Sequence, residues 1–213
     1  MTQVDRRVEE THATVAGTRP YAWPWDGVIT PESLALVVVQ APDSPLGSSP
    51  GALAVLADAA RRAGITIVEV VTHRPFSEPR GSGWASAAEA GATSPLGPDG
   101  ADYLIHSAGW NGFYESTLDS VLRRAGLTHL LMTGYWLEIG VSSTMRAAND
   151  MGYECLLVED AVASFDPDLT AATLSSTEMS GGIFGAIGTT AAVIDAIAAA
   201  PTTAIQKTLE NHA

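Results

Sequence analysis

Three ionisable side chains stand where a strand end or the turn after it would place them for proton transfer. His73 closes the second predicted strand and His106 closes the third, and imidazole changes its charge near neutral pH. Glu138 lies in the turn after the fourth predicted strand, where a carboxyl group can serve as a general acid or base. Each residue also has a structural interpretation. A histidine at the end of a strand often caps that strand, and a glutamate in a turn often accepts hydrogen bonds from backbone amides of the loop. Both interpretations stay open for all three residues.

Metal and cofactor chemistry has little support in the sequence. Asp43 lies in a proline-flanked loop after the first predicted strand, so a turn-forming role explains it best. With His73 and His106 it would form a facial ligand set only if the fold brought the three together, and the spacing does not require that. The glycine-rich segment 181–185 lacks the lysine of a phosphate-binding loop, and no dinucleotide fingerprint occurs. We therefore expect neither a metal nor an organic cofactor.

Aromatic side chains follow the third and fourth predicted strands, namely Trp110, Phe113, Tyr135 and Trp136. One interpretation is a flat, apolar pocket for a cyclic or conjugated small molecule. The other is packing within the core or at a subunit contact. We expect Trp110, Tyr135 and Trp136 to contact substrate and Phe113 to be structural.

Composition excludes several classes of protein. The 213 residues include 11 basic and 24 acidic side chains, for a net charge of −13, which a phosphate backbone would repel. The 16% of charged residues lies below the roughly 25% typical of soluble domains, so we expect a homo-oligomer. A single cysteine, Cys155, excludes a disulfide framework. No apolar run is long enough for a membrane span, and residues 1–17 lack the apolar core of a secretory signal, so we expect a cytoplasmic protein.

Short apolar strands alternate with helical patterns along the chain. The pattern predicts strands at Leu34–Val39, Ile65–Val71, Tyr103–His106, Thr128–Thr133 and Glu154–Val158. It predicts helices at Pro50–Ala63, Leu118–Ala125, 168–180 and 189–199, and a further helix that begins with Ser142–Asp150 and ends at Gly152. Such alternation is typical of an α/β protein, here a three-layer Rossmann-like sandwich with a mostly parallel sheet of about six strands.

Two segments stand outside that pattern. Residues 1–19 are polar and without periodicity, which predicts a flexible N-terminal arm before one domain at 20–213. Residues 74–100 are rich in proline and glycine, and a loop of that length is often functional. Because sites in open parallel sheets lie beyond the carboxyl ends of strands, we expect the site at the ends of strands one, three and four, bordered by this loop.

The segment LTHLLMTGYWLEIGVSSTMRAANDMGYECLLVEDAVAS, with NGFYESTLDSVLRRAGLTH before it and GGIFG after it, resembles the isochorismatase-like (cysteine hydrolase) superfamily. LALVVVQ occupies the place of the family's first strand, so the resemblance runs from about residue 20 to 200. It is most similar to the branch of biuret and ureidoacrylate amidohydrolases. Amide-hydrolysing members use an aspartate, a lysine and a nucleophilic cysteine, which implies a thiolate attack assisted by an acid–base pair.

Each of the three positions carries a different residue in this chain. The resemblance puts the aspartate position on Gln40, the lysine position on Ser107 and the cysteine position on Gly140. Cys155 lies elsewhere in the pattern. True isochorismatases also have glycine at the third position and need no covalent intermediate, but they keep the aspartate, and an amide supplies no proton near neutral pH.

Three functions remain open after these substitutions. The working hypothesis is a non-covalent small-molecule enzyme of lyase, isomerase or rearrangement type, in which Gln40, Ser107 and the backbone at Gly140 orient a polar group. Glu138 or a histidine would then move the proton. A catalytically inactive binding or partner subunit is the alternative, and a hydrolase with a substitute residue is the third possibility.

Overall fold

The fold is a three-layer α/β sandwich around a parallel sheet, as the sequence predicts. The structure, a computed structural model, describes residues 14–40, 51–73, 94, 96 and 99–200. Asp43, residues 1–13 of the predicted arm and most of the predicted 74–100 loop lie outside the described residues.

Six parallel strands form the sheet of the described residues: β1 (Leu34–Gln40), β2 (Thr66–Val71), β3 (Tyr103–His106), β4 (His129–Tyr135), β5 (Glu154–Ala163) and β6 (Ala186–Gly188). The helices are α1 (Gly51–Ala63), α2 (Leu118–Arg124), α3 (Ser142–Asp150), α4 (Thr170–Gly182) and α5 (Thr190–Ala199). Short 3-10 turns cover Pro31–Ser33 and Pro167–Leu169, and a π-helical turn covers Leu137–Val141.

The strand order is β3-β2-β1-β4-β5-β6, so the direction of chain progression reverses between β1 and β4. Alternating residues of β1 belong to two separate cores. Leu36 and Val38 pack with α1 and α5, whereas Val37 and Val39 pack with α2 and α3. Burial on both faces explains why β1 is a continuous apolar run.

Three elements differ from the expected pattern. The β4–β5 register shifts between Met132 and Gly134, and β5 then continues to Ala163, five residues beyond the predicted end. Strand β6 is only three residues long, too short for a periodicity signal. In α4 the backbone leaves the helical conformation at Met179 and is left-handed at Ser180, where the predicted helix ends.

The N-terminal segment that the structure describes packs against the sheet. Val15 pairs with Trp23, and Arg19 pairs with Ile187 of β6, in antiparallel bridges. Trp23 is fully buried in the core that contains α1. Within the described ranges, no helix combines the length and the apolar character that crossing a bilayer would require.

Candidate active site

The carboxyl ends of four strands meet at the point where the strand order reverses. The register places Gln40 beside Val71, and Val71 beside His106, while Val39 lies beside Gly134. In open α/β sheets, ligands bind in the crevice outside such a switch point. This carboxyl end therefore holds the candidate site, and nine of the residues expected from the sequence lie on or next to it: Gln40, His73, His106, Ser107, Trp110, Tyr135, Trp136, Glu138 and Gly140.

Gln40 is 3% exposed, and its amide donates a hydrogen bond to the carboxylate of Glu69 on β2. The hydroxyl of Ser94 donates to the other carboxylate oxygen at 2.7 Å. Burial raises the pKa of Glu69, while the hydrogen bonds from Ser94 and Gln40 and the nearby His106 act in the opposite direction. The side-chain amide of Gln40 is thus hydrogen-bonded to a buried carboxyl group and is not fully available to a ligand in the crevice.

Ser107 is engaged in the same way. It is 2% exposed, and its hydroxyl donates to the carbonyl of Gly109 at 2.7 Å. Its backbone amide donates to the carbonyl of Val71. The side chain therefore shapes the loop after β3.

Gly140 lies in the π-helical turn Leu137–Val141, which runs directly into α3. A Cβ atom at this position would lie 3.1 Å from Cγ1 of Val39 and 3.2 Å from the carbonyl oxygen of Tyr135. Both contacts are tighter than ordinary van der Waals packing. A side chain here, including that of cysteine, would require the neighbours to shift.

Glu138 has one engaged oxygen and one that is unsatisfied. Its Oε1 accepts a hydrogen bond from the backbone amide of Asp166 at 2.5 Å, in the loop after β5. Its Oε2 is buried and has no hydrogen-bond partner among the described residues. The first contact fits the structural role that the sequence left open, and the second leaves an acceptor available beside the crevice.

His73 and His106 form a direct pair. Nε2 of His73 and Nδ1 of His106 are 3.1 Å apart, and the two rings stack with centroids separated by 5.4 Å. Burial, and secondly the proximity of His106, lower the pKa of His73. A neutral imidazole in contact with a second imidazole can accept a proton and pass it on.

The aromatic residues divide between core and crevice. Tyr135 is 2% exposed and belongs to β4, whereas Trp136 is half-buried and packs edge-on against Phe165 at 5.6 Å. Trp110 is half-buried, and Phe113 stacks on Tyr153 in the core. Tyr135 offers little surface to a ligand, and Phe165, half-exposed beside Trp136, was not anticipated from the sequence.

A model of the isochorismatase domain matches residues 49–192, which is more than half of the chain. The chain belongs to the isochorismatase family.

Curated relatives place this isochorismatase-family chain near amidohydrolases. It is 34% identical over 94 residues to the isochorismatase family protein YwoC of Bacillus subtilis, covering 44% of this chain and 50% of that protein. It is 37% identical over 97 residues to the ureidoacrylate amidohydrolase RutB of Caulobacter vibrioides, covering 45% and 42%. The chain thus spans about half or less of the length of these relatives. The resemblance to the ureidoacrylate branch is confirmed.

Solved structures support the same fold. An isochorismatase family protein from Burkholderia thailandensis superposes with a TM-score of 0.66 at 25% identity, covering 80% of this chain and 98% of that one. The N-carbamoylsarcosine amidase of Thermoplasma acidophilum superposes with a TM-score of 0.58 at 24% identity, covering 74% and 96%. The second likeness bears on the fold alone.

The one thiol of this isochorismatase-family chain is far from solvent. Cys155 is 0% exposed and lies in β5, paired with Leu130, in the core covered by α3. Its sulfur lies 3.8 Å from the carbonyl oxygen of Tyr153, and burial raises the pKa of the thiol well above its usual range. A protonated, buried thiol is unreactive.

Sequence reasoning missed Glu69 as a member of the site. The signal was present, because an acidic residue interrupts the otherwise apolar run ITIVEVV. Buried carboxyl groups are rare unless they are paired, so its partner was the missing information. That partner, Gln40, lies 29 residues earlier in the chain.

Proposed function

We propose that the protein is a non-covalent small-molecule enzyme that keeps the isochorismatase fold without cysteine-hydrolase chemistry. The observation that best supports this proposal is the burial of Cys155, the only cysteine of the chain, in the core away from the carboxyl end of the sheet. Covalent amide hydrolysis of this kind needs an accessible thiolate. The tight packing around Gly140, which the resemblance puts at the family's nucleophile position, supports the same conclusion, since a side chain there would require its neighbours to shift.

Proton transfer is assigned to the His73–His106 pair. The lowered pKa of His73 keeps it neutral and able to act as a base near neutral pH, with His106 in hydrogen-bond range. Trp136 and Phe165 supply an aromatic wall for a cyclic or conjugated substrate. These groups suit elimination, isomerisation or rearrangement, in which a proton moves and no acyl-enzyme forms.

A binding or partner subunit is the second candidate function. It is favoured by the hydrogen bonds of Gln40 and Ser107, which engage both side chains internally. An enzyme that used them to orient substrate would need to break or share those bonds. In an enzyme the His73–His106 pair would transfer a proton of the bound molecule, whereas in a binding subunit it would only contact that molecule.

The first experiment tests the absence of thiol chemistry. The native protein is incubated with ureidoacrylate, N-carbamoylsarcosine and nicotinamide, and ammonia is measured before and after iodoacetamide treatment. We expect no release, and alkylation of Cys155 only after denaturation, because the thiol is buried. Ammonia release that iodoacetamide abolishes would contradict the proposal.

The second experiment separates enzyme from binding subunit. A cell extract is incubated with the wild-type protein or with the His73→Asn/His106→Asn variant, and metabolites are compared by mass spectrometry. We expect depletion of a metabolite by the wild-type protein and a rate at least about 100-fold lower in the variant. Cys155→Ala serves as the control and should deplete the same metabolite. Co-purification of an unchanged metabolite with both proteins would favour the binding subunit.

A further inference from the structure

A second group of ionisable side chains lies at the opposite end of the sheet, outside the candidate active site. His129 begins β4, Glu154 begins β5, and Asp26 lies in the segment before β1. Nε2 of His129 is 3.6 Å from Oδ1 of Asp26 and 3.8 Å from Oε2 of Glu154. The three ligand atoms all lie within 4.8 Å of one another, and this amino-end cluster of Asp26, His129 and Glu154 is the one such group among the described ranges.

The histidine of this cluster has an unsatisfied buried nitrogen. His129 is 8% exposed, and its Nε2 is buried without a hydrogen-bond partner among the described residues. A buried polar atom of this kind costs free energy unless something binds it. Nε2 faces the two carboxylates at distances too long for hydrogen bonds. A group placed between the three side chains would satisfy all of them.

The surrounding contacts fix the three side chains. Nδ1 of His129 is 2.9 Å from the hydroxyl of Thr128, so a proton on Nδ1 leaves the Nε2 lone pair directed at the carboxylates. The ring of Trp23 packs edge-on against His129 at 5.8 Å. The backbone amide of Trp25 donates to Oε1 of Glu154. Such second contacts orient metal-binding side chains in known sites.

The amide of Val28 donates to Oδ1 of Asp26 at 3.0 Å, which leaves that carboxylate oriented toward His129. The register pairs His129 directly with Glu154 on the neighbouring strand. Both of these ligands therefore come from rigid strands, while the third comes from the N-terminal segment.

We propose that Asp26, His129 and Glu154 bind a divalent transition-metal ion, with zinc as the best match. Ligand atoms about 2.0–2.1 Å from a tetrahedral zinc ion lie about 3.3 Å from each other. To complete the site, the two separations between Nε2 of His129 and the carboxylate oxygens would close by about 0.3–0.5 Å, and the separation of the two carboxylate oxygens, which is within 4.8 Å, would close by up to about 1.5 Å. One imidazole and two carboxylates favour zinc over magnesium or calcium, which prefer oxygen ligands throughout. A water molecule takes the fourth position, on the side of the exposed Asp26.

Bound metal would tie the N-terminal segment to the sheet. That segment also pairs with β6 through Arg19, so the ion would fasten its other end at β4 and β5. Such an ion would stabilise the packing of this segment, and its site lies at the end of the sheet opposite the reaction proposed for the carboxyl end. Its test does not depend on finding a substrate.

The test measures zinc binding to the full chain by titration calorimetry after treatment with EDTA. We expect one zinc ion per chain, a higher thermal unfolding midpoint with zinc, and visible absorption bands of tetrahedral geometry with cobalt(II). His129→Gln should weaken binding by more than about 100-fold, and Asp26→Asn by at least about 10-fold. Because Asp26 is exposed, the second variant keeps the fold even if the first does not.

The matched control is the variant His73→Gln/His106→Gln, which removes the other histidine pair. It should bind zinc at the amino-end cluster with unchanged affinity. The proposal is overturned if the wild-type protein shows no binding at millimolar zinc, if this control abolishes binding, or if both Asp26→Asn and His129→Gln bind as tightly as the wild-type protein.

Discussion

The two ends of the sheet differ in how their buried polar side chains are hydrogen-bonded. At the carboxyl end, Gln40 and Ser107 occupy positions where relatives are expected to carry catalytic groups, and both form internal hydrogen bonds. At the amino end, His129 carries an unsatisfied buried nitrogen that faces two carboxylates. The end where this fold class binds ligands has paired Gln40 and Ser107 internally and leaves one oxygen of Glu138 unpaired, whereas the opposite end leaves Nε2 of His129 unpaired.

The difference shows that position within a fold and availability for chemistry are separate properties. A buried amide such as that of Gln40 must be paired, so replacing a charged residue by an amide commits that amide to a neighbour. Its neighbour Glu69 then becomes part of the candidate site. What remains available at the carboxyl end is the His73–His106 pair and one oxygen of Glu138.

The largest expected effect on unfolding free energy comes from a glycine substitution near the carboxyl end of β4, compared with one just before its amino end. In Gly134→Ala the new Cβ would lie 2.1 Å from the carbonyl oxygen of Val39, at the register shift below the crevice. Because the backbone of β1 cannot move aside as a flexible side chain could, we expect the variant to lose about 4 kcal/mol or more of unfolding free energy, or to fail to fold. Urea denaturation measures the loss.

The control is Gly126→Ala, just before the amino end of β4. Gly126 also has a left-handed φ of +73°, but no atom lies within 4 Å of the added Cβ. This substitution should therefore cost only about 1 kcal/mol. Equal losses in the two variants would contradict the idea that the carboxyl end is held by close contact between β1 and β4.

Much of the framework was predictable because its signals are local. The apolar run of β1 and the helical spacing of α3 depend on residues near each other in the chain, and α3 begins at the predicted Ser142. The extension of β5 to Ala163 depends on pairing with Gly134 beyond a register shift. Strand β6 depends on its pairing with β5 and on the bridge from Arg19, both of which are distant in sequence.

The sites were predictable only in part, for the same reason. His73 and His106 were expected at the carboxyl end because each closes a predicted strand, but their contact depends on the pairing of β2 with β3. The amino-end cluster joins residues that are far apart in the chain, and two of them, Asp26 and Glu154, have no distinctive sequence context. Non-local pairs of this kind require the three-dimensional structure.

An intermediate effect is expected from the buried carboxyl group at the carboxyl end. Because the pKa of Glu69 is raised in the folded protein, the folded state holds the proton to higher pH than the unfolded state. Its stabilising contribution is present below the ordinary pKa of about 4.3 and is lost as pH rises through the raised value. Glu69→Gln keeps a hydrogen-bonding group and removes the charge, so we expect the unfolding free energy at pH 7 to increase.

The matched control is Glu32→Gln, an exposed acidic residue in the turn before the amino end of β1. It should change the unfolding free energy by less than about 0.5 kcal/mol at any pH. If Glu69→Gln left the pH dependence between pH 4 and 7 unchanged, the buried carboxyl would be ionised without penalty, and the contrast between the two ends would weaken.

The smallest expected effect concerns the histidine pair. The pKa of His73 is lowered in the folded protein, so its contribution to stability is present above the unfolded-state pKa of about 6.5 and is lost as pH falls. His73→Asn should therefore slightly reduce the loss of unfolding free energy between pH 7 and 5, and partial solvent exposure keeps this effect small. In His106→Asn, nuclear magnetic resonance titration should show the pKa of His73 rising only part of the way to normal, because burial is the larger cause. A complete return would mean that the neighbouring imidazole alone lowers the pKa of His73. Burial would then have no part in the shift, and water would reach His73 more freely than the packing of the crevice indicates.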